Sequence, residues 1–543
     1  MTSSHVTISG VSSPTGSRPH HRDPDPAQRR SEMAPSFRPT AEQAAAVDAF
    51  RTGTDMVLEA GAGTGKTSTL KLMAAARPRT RGIYVAYNKS IAKDAQASFP
   101  GDVECRTAHG FAYIWMGRRR EWGWDALNKR VNGKRVLAPQ TARILGAKAP
   151  LRLGPDRMIT SYQLARIAME TTDRFCLSAD REIQPRHVPR VNGAVDDADR
   201  AALVKAVLPF ARKAWEEDLT RPDGELRFNH DVYLKMWALT NPILNADYVL
   251  LDEAQDSTPV VTQLFNQQRD TQKVAVGDSC QAIYGWRGAQ DAMAGMVVDH
   301  RMFLQQSFRF GPAIAEEANK WLELLNADLR LIGTSTIASK LKPLAQPNAV
   351  LCRSNAEAVD RLMRFHRANI PAAIVGGGND VRRLAEAAVE LREKGRTAHP
   401  ELCVFTSWGM VQEYVEHDHG GRDLSVAVRL IDDHGPEKII EAIDRSVSES
   451  KATIVLSTAH KAKGREWNSV EIADDFRQPS PDEEGRQVEP AREESMLAYV
   501  AVTRAQRYLD RSGLEWIDEY VSSPGSGGSR LGRLAKSMAR RSR

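Results

Sequence analysis

"DMVLEAGAGTGKTSTL", residues 55–70, decides the fold. Met56 to Glu59 is a short apolar run with the length of a buried strand. Gly61, Gly63 and Gly65 punctuate the turn that follows, and Lys66 opens a run of helix formers. A strand, a glycine loop and a helix start together predict a phosphate cradle. The glycines let backbone N–H groups face phosphate oxygens, and the helix N-terminus adds its dipole. Thr64 and Ser68 belong to the same cradle, Lys66 neutralises β- and γ-oxygens, and Thr67 holds Mg²⁺. The pattern is A-x-x-x-x-G-K-T, with Ala60 where the general motif has glycine.

"ADYVLLDEAQDS", residues 246–257, supplies the other half of a nucleoside-triphosphate site. An apolar strand ends at Asp252, placed to bind Mg²⁺ through water. Glu253 is placed to orient or deprotonate the attacking water. Adjacent acids at a buried strand end are costly unless a cation accompanies them. A third strand end opens "VGDSCQAIYGWRGA", residues 276–289, where Tyr284, Trp286 and Arg287 crowd a polar loop. Rings so placed suit stacking on bases, at about 1–3 kcal/mol per base with little sequence preference.

Further strands are expected at Gly82–Ala86 and Met302–Gln305, around the pair at Tyr248–Leu251 and Val274–Val276. A second set follows at Ala349–Cys352, Ala373–Val375, Thr453–Ser457 and Ser469–Ala473. Strand-then-helix alternation implies parallel sheets covered on both faces, with ligands at the carboxyl ends of the strands. The fold class is therefore α/β: two parallel-sheet lobes with a cleft between them, the first carrying the phosphate loop and a mainly helical insertion. The expected organisation is a disordered segment over 1–36, a first domain over 37–310 with its insertion at about 116–245, a second domain over 311–515 with a reduced insertion at about 378–448, and a basic flexible tail over 516–543. No internal repeat is visible.

A chain of 543 residues is too long for one core. It has no apolar run of membrane-spanning length and no secretory h-region. Five dispersed cysteines, without a C-x-x-C pair, fit a reducing compartment and argue against a zinc module. The net formal charge of +6 is matched by Arg530, Arg533, Lys536, Arg540, Arg541 and Arg543 in the tail, so the body is near neutral. A nucleic-acid groove must then arise from local charge placement. "GRRREWGWDALNKRVNGKRV", residues 117–136, interleaves Trp122 and Trp124 with basic residues. It reads equally as a strand-holding surface or a solvated helix face.

Taken in order, these stretches resemble the UvrD/Rep-like superfamily 1 DNA helicases over residues 37–509. "PTAEQAAAV" is similar to the Q motif, "YVAYNKSIAKDA" to motif Ia and "RTAHGFAY" to motif Ib. "LLDEAQD" resembles motif II, "VGDSCQAIYGWRGA" motif III, "LQQSFRFG" motif IV, "LSTAHKAKGREW" motif V and "LAYVAVTRAQ" motif VI. Within that family, "HDVYLKMWAL", "QSFRFG" and "ADDF" look most like the helicase part of the F-box DNA helicases and their short bacterial or phage relatives. No stretch of the N-terminal segment suggests an F-box.

The resemblance implies that Gln43 reads the adenine edge, hence ATP, that Phe308 stacks on adenine, and that Glu466 meets the ribose. Gln281 would sense the γ-phosphate, with Arg309 and Arg504 as arginine fingers. Tyr87, Asn88, Thr107, His109, Phe111, Thr458, His460 and Lys461 would line the DNA path with Tyr284, Trp286 and Arg287. Around Glu466 this chain has Arg465 and Trp467 where the family has Leu and Phe. The implied fold is two RecA-like parallel-sheet P-loop NTPase domains, with a mainly helical insertion in the first and a reduced one in the second. The implied activity is ATP-dependent movement on single-stranded DNA and single/double-strand junctions, 3′ to 5′, in repair or recombination control. The alternative is a DNA-stimulated ATPase that strips proteins from strands with little unwinding. The implied setting is cytoplasmic and nucleoid-associated, or nuclear in a eukaryote.

Overall fold

The computed structural model describes residues 38–518, apart from 134–135, 154–157, 192–195, 404, 418–421, 483 and 486–487. The expected disordered segment at 1–36, and the tail beyond 518, lie outside the described residues.

β1 (Met56–Ala60), β2 (Gly82–Val85) and β3 (Val103–Arg106) come first in the chain. A small antiparallel hairpin of β4 (Leu151–Arg152) and β5 (Met158–Ile159) follows. β6 (Tyr248–Leu251), β7 (Gln272–Gly277) and β8 (His300–Leu304) complete the first sheet, in the order β3-β2-β6-β7-β1-β8. All its ladders are parallel. The second sheet holds β9 (Lys340–Leu341), β10 (Ala349–Cys352), β11 (Ala372–Ile374), β12 (Ile454–Thr458), β13 (Trp467–Ile472) and β14 (Ala505–Asp510). Its order is β11-β12-β10-β13-β14-β9, again parallel throughout. Central strands such as β6 and β10 are buried at every residue. That is why they read as unbroken apolar runs. The architecture is α/β with two RecA-like lobes.

Two helical segments interrupt the sheets. Between β3 and β6 run helices Ala108–Gly117, Gly123–Val131, Ala138–Leu145, Ser161–Leu177, Asp197–Lys213 and His230–Ala238. Thr160 and Gln163 form a reciprocal capping box that starts the fourth of these. Between β11 and β12 lie helices Asn379–Lys394, Trp408–His417, Arg422–His434 and Pro436–Asp444. The two segments touch where Gln163 Nε2 donates to the Cys403 carbonyl at 2.8 Å.

The basic-aromatic stretch at 117–136 is partly structural. Trp122 is buried and Trp124 packs against Gly117. Arg130 is also buried, donating to the Asp218 carboxylate at 3.2 Å and the Leu226 carbonyl at 3.0 Å, with its guanidinium over the Phe228 ring. Asp218 accepts N–H groups from Glu225 and Leu226 as well. Removing one partner of such a pair strands a buried charge, at about 3–5 kcal/mol. Arg130→Met is therefore expected to lower the unfolding free energy by a matching amount, read as a fall in the urea midpoint, and adding Asp218→Leu should recover part of the loss. A single variant with an unchanged midpoint would show that the pair does not hold this segment together.

Candidate functional site

The phosphate loop leaves β1 and enters helix Lys66–Ala76 through Gly65, in left-handed backbone at φ 79°. Gly63 is left-handed too, and a Cβ there would lie 2.6 Å from Arg309 Cβ and 2.8 Å from Ser307 Oγ. Close approach and conformation both demand glycine. Residues 307–309 are fixed to the loop, because Ser307 Oγ donates to the Ala62 carbonyl and the Phe308 N–H to the Gly63 carbonyl, each at 2.8 Å. Thr64 Oγ1 donates to the Gly61 carbonyl at 2.9 Å, and Lys66 Nζ to the Ala60 carbonyl at 3.2 Å. Thr67 is half-buried and Ser68 exposed. Phe308 is 44 % exposed beside Gly65 and Gln43. The Gln43 amide is already engaged, its Oε1 by the Thr40 N–H and its Nε2 by Thr69 Oγ1, both at 3.1 Å. The second Nε2 proton and the second Oε1 lone pair remain for a base edge.

β6 delivers Asp252 and Glu253 to the same cleft. Asp252 Oδ2 accepts from the Tyr84 hydroxyl at 2.5 Å and Oδ1 from the Glu253 N–H at 3.0 Å. Burial and the adjacent Glu253 charge push the Asp252 carboxyl up to about 6. Glu253 has left-handed backbone, φ 50° and ψ 44°, which turns its side chain off the strand line. Burial opposes its charge, but Lys66, Lys463, the Gln255 hydrogen bond and Arg504 together outweigh that and hold its carboxyl below the usual range. A Thr67 hydroxyl with the Asp252 carboxylate is the hard-oxygen set that Mg²⁺ takes, and two buried acids side by side favour a cation. Among the described residues no three His, Cys, Asp or Glu side chains converge as metal ligands. A cation here would therefore draw its other ligands from water and phosphate, the usual Mg²⁺ arrangement.

The second lobe closes on this centre. Arg504 is wholly buried, with Nη2 2.9 Å from Thr503 Oγ1 and 3.3 Å from Gln281 Oε1, and Nε donating to the Val500 carbonyl. Gln281 Nε2 donates to Asp278 Oδ2 at 2.6 Å, and the Tyr499 hydroxyl reaches the same oxygen from the other lobe at 2.9 Å. Lys463 also crosses, bonding Asp256 Oδ2 and the Gln281 carbonyl with its Nζ over the Tyr284 ring. Arg309 Nε is bonded to Glu466 Oε2 at 2.5 Å, and its Nη1 to the Thr503 carbonyl. The residues read as arginine finger and ribose ligand thus hold each other, and a triphosphate must compete with Glu466 for Arg309.

The strand-facing candidates divide. Tyr87 and Trp286 are exposed, Trp286 at 69 %, with the His460 ring edge-on at 6.4 Å. Asn88, Thr107 and Thr458 each cap a helix start, accepting the N–H of Ile91, Gly110 and Lys461. His109 Nε2 pairs with Asp231 at 2.8 Å, from the "HDVYLKMWAL" helix. Lys461 Nζ donates to Asn355 Oδ1 at 3.0 Å. Two expectations shift. Phe111 packs into the apolar core and stacks on Trp237. Tyr284 turns inward, its hydroxyl donating to the His460 carbonyl at 3.1 Å. Both rings find apolar neighbours that a linear reading does not reveal. The Arg287 side chain lies outside the described residues.

A cavity of about 160 Å³ joins the two sets. Gly63, Lys66, Glu253, Gln281, Arg309 and Arg504 line it together with Tyr87, Asn88 and Tyr284. A larger cavity, about 590 Å³, opens beside Arg166 and the second insertion, sharing no lining residue with the first, and Asp380, Arg383, Glu386 and Glu390 line it. Sequence reasoning missed Tyr84, Asp278, Lys463 and Tyr499. Asp278 was legible as a charge ending an apolar strand, whereas Lys463 sits among other basic residues that hide it, and the tyrosines read as ordinary core residues.

Residues 436–512 match the UvrD-like helicase C-terminal domain, and residues 43–287 match a family described as an AAA domain. The chain is 28% identical over 503 residues to F-box DNA helicase protein 1 of Schizosaccharomyces pombe, covering 87% of this chain and 57% of that protein. It is 28% identical over 490 residues to F-box DNA helicase 1 of Gallus gallus, covering 82% of this chain and 46% of that one. The chain thus spans about half the length of these relatives.

Proposed function

We propose that the chain, whose residues 436–512 match the UvrD-like helicase C-terminal domain and residues 43–287 an AAA domain, is an ATP-dependent motor moving on single-stranded DNA. The observation that carries the reading is the shared cavity, whose wall combines phosphate-loop residues with the exposed Tyr87 and with Asn88. A change at the γ-phosphate then alters the strand-facing loop directly.

In this reading Lys66 and the loop amides hold the triphosphate, and Phe308 and Gln43 face the base. Thr67 and Asp252 hold Mg²⁺, which when bound neutralises charge between β- and γ-phosphates. Glu253 takes the proton of the attacking water, and Arg504 stabilises charge on the transferred group from the opposite lobe. Gln281 reports the state of the γ-phosphate to the loop that bears Trp286. Strand release and capture alternate as the lobes part and close, with 3′ to 5′ movement the direction that family likeness favours. Action in DNA repair or recombination control, at single/double-strand junctions and in the nucleoid or nucleus, belongs to the same reading. Among the described residues no helix is long and apolar enough to cross a membrane. The compact second insertion, four helices between Asn379 and Asp444, favours a second reading in which the motor clears proteins from strands and separates duplex poorly.

ATP turnover with and without a single-stranded oligonucleotide tests the motor. Strong stimulation is expected, with displacement of a labelled strand from 3′-tailed duplex exceeding that from 5′-tailed duplex. Stimulation without displacement would select the clearing reading, and turnover indifferent to DNA would remove the coupling. Trp286→Ala is expected to weaken binding of the oligonucleotide about five- to hundredfold, the loss of one stacked base. Fluorescence anisotropy measures it, and an unchanged affinity would exclude Trp286 from the strand path.

A further inference from the structure

Tyr84 lies in β2, three residues before the exposed Tyr87, and its side chain is completely buried. Its ring packs against Phe99 with centroids 4.8 Å apart, which fixes the direction of the phenol. β2 and β6 are adjacent, with Tyr84 opposite Leu250. The hydroxyl therefore reaches the acid two residues further along the neighbouring strand. Among the described residues its partner is Asp252 Oδ2, at 2.5 Å. With the Glu253 N–H on Oδ1, each carboxylate oxygen carries one hydrogen bond from the protein. The plane of the carboxylate is set by the fold. A buried hydroxyl is costly unless bonded, and phenylalanine would fill the same core space, so the bond to Asp252 distinguishes tyrosine here.

We propose that Tyr84 is a positioning residue for the divalent cation of the ATP site. It orients Asp252 toward the metal and links that orientation to the strand whose end carries Tyr87 and Asn88. The inference rests on the ATPase reading above, and partners that orient a metal-binding group characteristically change metal affinity about 10- to 100-fold when removed.

The test is binding of a fluorescent ADP to the full chain, titrated with Mg²⁺ from an EDTA baseline, beside thermal melting. Tyr84→Phe is expected to raise the half-saturating Mg²⁺ about tenfold while the EDTA baseline stays where it is in the unmodified chain. Tyr84→Leu separates packing from bonding: a hydroxyl role gives Phe and Leu the same raised Mg²⁺ requirement, however much more Leu lowers the melting temperature. In an Asp252→Asn background Tyr84→Phe should add nothing. An unchanged Mg²⁺ requirement in Tyr84→Phe, or an additive effect in that background, overturns the proposal while leaving the ATPase reading intact. If the unmodified chain itself binds the nucleotide without regard to Mg²⁺, both fall together.

Discussion

Substituting Arg504 with lysine is expected to cut DNA-stimulated ATP turnover by about a thousandfold or more, within the range that arginine fingers command. The charge alone is not what the site uses. Arg504 spreads its bonds over Thr503, Gln281 and the carbonyls of Val500 and Arg465. A lysine ammonium is a point charge that cannot reproduce that planar fork. Burial pushes the Arg504 guanidinium down to about 9, and the neighbouring Arg309 charge adds to the effect. The side chain is thus a desolvated cation beside a like charge, which an incoming γ-phosphate would balance. Lysine keeps a positive charge in the pocket, so the variant should fold and bind nucleotide. Steady-state kinetics should place the loss in kcat, and a kcat within tenfold of the unmodified chain would take Arg504 out of the reaction.

Glu253→Gln should be almost as severe, lowering turnover about 10²- to 10⁴-fold, the usual contribution of a positioned general base. The variant is nearly isosteric and leaves the backbone bond to Asp252 in place. Gln255 Nε2 now donates to Glu253 Oε2 at 2.7 Å, and a glutamine can accept the same bond. What disappears is the proton acceptor, which Lys66, Lys463, the Gln255 hydrogen bond and Arg504 together keep ionised against the pull of burial. ATP should then bind and persist, holding the chain in its triphosphate-bound state on the strand. Single-turnover hydrolysis alongside strand anisotropy would show it. Turnover within fivefold of normal would move the base role to another group.

Much of this site was legible in the sequence because its chemistry sits at strand ends. The glycine loop, Asp252 and Glu253, and Gln281 each follow an apolar run that ends abruptly in polar residues. Strands β3 and β14 escaped notice for opposite reasons. β3 is an edge strand whose burial alternates, so Glu104 and Arg106 break the apolar run. β14 starts directly after Arg504, inside a stretch whose polar residues drew attention to chemistry rather than to fold. The cross-lobe bonds were illegible in principle. Tyr499 and Asp278 are far apart in the chain, and nothing in either neighbourhood marks the other as its partner. Tyr284 and Phe111 show the converse limit, since composition identifies an aromatic but not the side to which it turns.

Asn88 and Thr107 stand at the starts of helices Lys89–Gln96 and Ala108–Gly117, their side-chain oxygens committed to capping. What such helix ends present outward is the remaining backbone N–H groups and the positive end of a dipole. Contacts of that kind address the phosphates common to every nucleotide and carry no letter of the message. If the proposed strand path runs over these helix ends, it would have the same footing at each step, and a motor crossing any sequence at an even pace would need such a rail without landmarks.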